Sequence, residues 1–124
     1  ITAKLGDYVF YVSFIQYIYV IYSRGMNMPH YIILLNWTDQ GIRNVKDSPK
    51  RVAAAKAAVE KAGGKWLGFY YTLGQYDMVA VIEGTNDETT MSLLMAIGSQ
   101  GSIRSTTLKA FPAAEAAKII EKLL

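Results

Sequence analysis

The chain has 124 residues, 52% of them hydrophobic and 19% charged, with a net charge of +3 and a pI near 9.1. That length suits one domain, and the balance excludes a disordered chain. Basic residues are spread without Lys/Arg runs or aromatic interleaving, which speaks against nucleic acid as a partner; the lack of cysteine removes disulfides, thiolate catalysis and Cys-ligated zinc, and fits a reducing cytoplasm.

The first residues differ from the rest. Residues 8–23, "YVFYVSFIQYIYVIYS", carry no charge, and the run is shorter than the ~20 residues that a membrane-spanning helix needs. Their Tyr, Val and Ile content suits strands better than a membrane helix. No small-residue cleavage pattern follows them. Met26 and Met28 in "GMNMPHYII" are natural starts. Residues 1–27 are therefore read as a leader outside the domain, translated from upstream sequence, with a membrane anchor as the alternative. The domain then covers residues 28–124.

Residues 30–37, "HYIILLNW", read as a strand. Thr38 and Asp39 cap a short helical turn. Ser48 is the expected N-cap of a helix with Pro49 in its first position, ending at Gly63-Gly64. A second strand, "KWLGFYYTL", and a third, "MVAVIEG", flank the turn Gly74-Gln75-Tyr76-Asp77. Asn86 or Asp87 caps a helix that points Met91, Leu94, Met95 and Ile97 toward the core. "SIRSTTLKAF" is the fourth strand, and Pro112 opens a tail helix. The order is β-α-β-β-α-β plus a helix, which predicts a ferredoxin-like α+β fold with an antiparallel four-stranded sheet.

Two helices cover one face of such a sheet, so its strands should alternate apolar and polar residues. These strands are apolar at both parities, so the second face needs a cover. The expected cover is the same face of a second copy, giving a homodimer; the alternative is that the tail helix or residues 1–27 fold over it.

From Met28 onward the chain resembles the GYD domain family, through the Gly-x-Tyr-Asp motif standing here as Gly74, Gln75, Tyr76 and Asp77. The stretch "LLNWTDQGIRNVKDSPKR" with Thr38, Gly41, Ser48 and Arg51, the helix exit "EKAGGKW" and "TTLKAF" carry the same resemblance. It implies a dimeric α/β barrel of bacteria or archaea, and no established reaction. "LGQYDMVAVIEG" is also similar to the effector-binding domain of feast/famine (Lrp/AsnC) regulators, although no helix-turn-helix pattern precedes it here.

Two readings of the knot stand side by side. Gly74 can supply a positive φ, Asp77 can accept turn N–H groups and Tyr76 can cover the core edge. In the other reading the knot caps a pocket between sheet and helices, in which Asp77 is a hydrogen-bond acceptor or general base and Tyr76 a donor. Ser48 with Arg51 can hold an anion, against a salt bridge from Arg51 to Asp47 on a solvated helix face. Trp37, Trp66, Tyr70 and Tyr71 form an aromatic set suited to the core, an interface or a ligand. His30 is the single histidine, so no metal cluster is expected, and no cofactor is implied. No G-x-S-x-G or phosphate-binding glycine loop is present. Asp87-Glu88 read as helix-capping charges. The expected ligand site is Gly74, Tyr76, Asp77, Arg51, Ser48, Thr38 and Tyr71 in a small cytoplasmic dimer that binds a small metabolite in a cleft between sheet and helices. The alternative is a cofactor-free monooxygenase-like or isomerase-like enzyme using Tyr76, Asp77 and His30.

Overall fold

The computed structural model describes residues 13–16 and 28–124. Residues 13–16 are helical and exposed, against the strand suggested by their surroundings; short apolar runs do not separate the two by composition. The rest of the apolar run at 8–23 lies outside the described residues. Among the described residues no helix is long and apolar enough to cross a membrane.

Strand β1 (His30–Trp37) buries every second residue, Tyr31, Ile33 and Leu35, and leaves its other positions half-buried. Strand β3 (Met78–Glu83) repeats the pattern with Met78, Ala80 and Ile82. These strands pair antiparallel at the centre of a sheet ordered β2-β3-β1-β4, with β2 (Lys65–Tyr71) and β4 (Ile103–Ala110) at the edges. Pairing of Ile33 with Ala80 and of Tyr31 with Ile82 aligns the buried residues on one face. Helices α2 (Ser48–Lys61) and α3 (Asp87–Gly98) lie on that face, bringing Val59, Leu93 and Leu94 onto the core. The expected ferredoxin-like order is the one observed.

Local chemistry fixes the helix ends. Thr38 caps α1 (Asp39–Arg43) by accepting from the Gly41 N–H at 3.1 Å, and Asn86 caps α3 by accepting from Thr89 N–H at 2.8 Å. At the exit of α2, Gly63 N–H bonds to the Glu60 carbonyl and Gly64 N–H to that of Val59, a Schellman closure with Gly63 at φ 87°.

Two local expectations are corrected. Ser48 is the first residue of α2, not its cap, because a 3-10 turn (Val45–Asp47) runs straight into the helix. Met91 and Met95 are 62% and 60% exposed. Helix α3 instead turns Thr90, Leu93 and Leu94 inward. Thr90 can be buried because its hydroxyl donates to the Asn86 carbonyl at 2.9 Å.

The opposite face carries Ile32 and Leu34 of β1, Val79 and Val81 of β3, Leu108 of β4 and Tyr70 of β2, matched across the strands by register. Tyr70 is 64% exposed and Leu108 47%. Helix α4 (Ala113–Glu121) buries none of its residues, so the tail is not a packed lid over this face.

Candidate functional site

Six of the seven expected site residues gather at one end of the sheet, around the end of β1; Gly74 stands at the exposed tip of the adjoining turn. Its φ is 107°, as the turn reading requires, and a side chain there would meet nothing within 4 Å. Asp77 ties this turn to β1: its N–H donates to the Leu35 carbonyl at 2.9 Å, and its Oδ2 accepts from the Trp37 N–H at 2.9 Å. The Thr72 hydroxyl closes the turn on the Tyr76 carbonyl at 2.6 Å. The Asp77 carboxylate therefore satisfies a backbone donor at the strand end, and Tyr76 is half-buried beside it. His30 stands at the other end of β1, roughly 20 Å away at the rise of a strand, with its Nδ1 3.1 Å from the Met28 carbonyl oxygen. A single subunit does not bring His30 and Asp77 to one reaction centre.

The remaining residues form a second cluster. The hydroxyls of Ser48 and Tyr71 are 2.9 Å apart, and Tyr71 stacks on Trp37 at 6.4 Å between centroids. Phe69 meets Tyr71 edge-on at 5.2 Å and stacks on Trp66 at 5.8 Å, so the aromatic set lines one flank of the helix-covered face. Tyr70 points to the other face. Thr38 is engaged in structure: besides capping α1, its hydroxyl donates to the Gly101 carbonyl. Arg51 does not form the expected salt bridge with Asp47; its Nη2 reaches the Asn44 carbonyl at 3.2 Å. It follows Ser48 by one helical turn, so the two share a face of α2.

Both line a cleft between α2, α3 and the sheet, with a cavity of about 210 Å³. Its floor is Ile33, Leu35, Met78 and Ala80, and Ala55 and Ala58 leave room on the α2 side. Arg51 is the one charged residue in its lining; Ser48, Gln100 and Ser102 add polar groups. Among the described residues no group of three or more His, Cys, Asp or Glu could hold a metal.

A polar network at the far end of the sheet escapes a reading of the sequence. The Tyr31 hydroxyl donates to Asp87 Oδ1 at 2.5 Å, and Lys109 Nζ meets Asp87 Oδ2 at 3.0 Å. The hydrogen bond from Tyr31, then that from Lys109, hold the Asp87 carboxyl below its ordinary pKa, while burial and then Asp87 raise the Tyr31 phenol. The available signal was Tyr31 itself, since an inward-facing tyrosine needs a partner for its hydroxyl.

The GYD domain model matches residues 31–120. This chain belongs to the GYD domain family. Over 89 residues, 71% of this GYD chain and 94% of the relative, it is 32% identical to the glutamine synthetase and cystathionine beta-lyase binding protein of Thermus thermophilus. A crystal structure of a Thermus thermophilus protein is 24% identical, with 69% of this chain and 96% of that one covered and a TM-score of 0.46. The GYD fold is shared with a feast or famine regulatory protein of M. tuberculosis solved with L-methionine, at 14% identity, TM-score 0.54, and coverage of 82% of this chain and 73% of that one.

Proposed function

We propose that this GYD protein is a cytoplasmic, regulatory binding module: two copies pair through the outer sheet faces, and the pair docks on a metabolic enzyme. The observation that carries the pairing is the outer face itself, where Ile32, Leu34, Val79, Val81 and Leu108 present hydrocarbon and α4 buries nothing. The docking role follows the relative's name. A sequence 32% identical over nearly all of that protein supports a partner of the same kind, glutamine synthetase or cystathionine beta-lyase. The cysteine-free composition suits the same compartment as such enzymes. Mixing the full chain with each enzyme from its own source at about 10 µM should give a co-eluting complex on size exclusion. Separate elution of all three proteins would overturn the docking role.

The α2/α3 cleft favours a second reading, in which the module also takes a small molecule. An apolar cavity with a few convergent polar groups is the usual form of a ligand site, and here Arg51 and Ser48 line it while Tyr71 meets the Ser48 hydroxyl. The cofactor-free enzyme has less support, since Asp77 is engaged by Trp37 and His30 lies at the opposite strand end.

A further inference from the structure

Resting on the cleft reading above, we propose that the cleft takes a small carboxylate, its apolar body in the cavity and its charge met by Arg51. The cavity sets the body. Cavities of roughly 150 Å³ walled by aliphatic side chains accept benzene, so about 210 Å³ holds one ring with one or two further carbons. Ala55 and Ala58 create that space: larger side chains at these two positions would fill it. Sugars and other polyols are excluded by the floor of Ile33, Leu35, Met78 and Ala80, which offers their hydroxyls no partner.

The charge follows from the lining. Arg51 is its one charged group, and Nη2 donates to the Asn44 carbonyl alone, leaving a forked donor without a carboxylate partner among the described residues. A guanidinium pairs with a planar carboxylate through two parallel bonds. One such group balances a monoanion; a phosphate dianion would call for a second cation. The Ser48–Tyr71 hydroxyl pair, one turn from Arg51, supplies a further donor, with Ser48 buried at 3% exposure and Tyr71 reaching it from the exposed edge of β2.

The test uses phenylacetate and its neutral isostere phenylacetamide, titrated into the full chain and into Arg51→Gln, with methyl shifts of Ala55 and Ala58 followed by NMR. The expected result is movement of both methyls with either probe, phenylacetate binding about tenfold or more tightly than the amide. In Arg51→Gln that preference disappears while the amide binds as before. Equal affinity of the two probes, or a carboxylate preference that survives in Arg51→Gln, overturns the carboxylate assignment and leaves the cleft reading standing. Methyl shifts unmoved by either probe at millimolar concentration overturn both.

Discussion

Tyr31 places its ring in the core at 4% exposure and its hydroxyl on Asp87, so one side chain joins β1 to the start of α3. Asp87 in turn holds Lys109 of β4. The Asp87 carboxyl is depressed below 3.8, first by the bond from Tyr31 and then by that from Lys109. A depressed carboxyl contributes stability that is present above the unfolded-state pKa and lost as pH falls through the folded one. In Tyr31→Phe the largest cause is removed, so the Asp87 titration followed by NMR should move up toward 3.8, and stability should fall less on acidification than in wild type. An unchanged Asp87 midpoint would show that the hydroxyl does not act on it. At this scale the Gly74–Asp77 turn was legible, because glycine at positive φ and an Asp acceptor are what such a turn needs. Tyr31 with Asp87 was not: 56 residues separate them, and only the fold brings them together.

Among the elements, strand and helix order could be read directly, since Pro49 and Gly63 bracket α2 and short runs rich in Val, Ile and Leu mark β1 and β3. Details that depend on neighbours could not. The irregularity between Trp66 and Gly68 in β2 is a matter of register, and the rotation of α3 that leaves Met91 and Met95 outside is set by the surface below it. The short helix α1 illustrates such a dependence. Gly41 lies so close to the segment before β4 that an added Cβ would sit 1.9 Å from the Ser102 carbonyl oxygen. That oxygen also accepts from the Thr38 N–H at 3.1 Å. Gly41→Ala must push α1 away from this segment, and urea unfolding should show a loss of about 1–3 kcal/mol. A change within ~0.5 kcal/mol would mean that α1 moves freely.

For the whole molecule, apolar residues at both strand parities pointed to a sheet that is incomplete with helices on one side alone. The strands bear this pattern: alternate residues of β1 and β3 are buried under α2 and α3, and the others form an apolar outer surface ending in exposed Tyr70 and Leu108. A pocket between sheet and helices was expected at the Gly74–Asp77 turn, but its walls were not, because they arise from small side chains on α2 facing a floor contributed by two strands distant in sequence. Pairing through the outer face is the claim on which the binding-module reading turns, and sedimentation equilibrium of the full chain beside its Val79→Lys variant tests it. Val79 lies between Leu34 and Tyr70 on that face and outside the core, so the variant should fold as wild type does. The account predicts a wild-type mass twice the 13.8 kDa of one chain and a single-chain mass for Val79→Lys. A wild-type protein sedimenting as one chain, or a variant that stays paired, would contradict it.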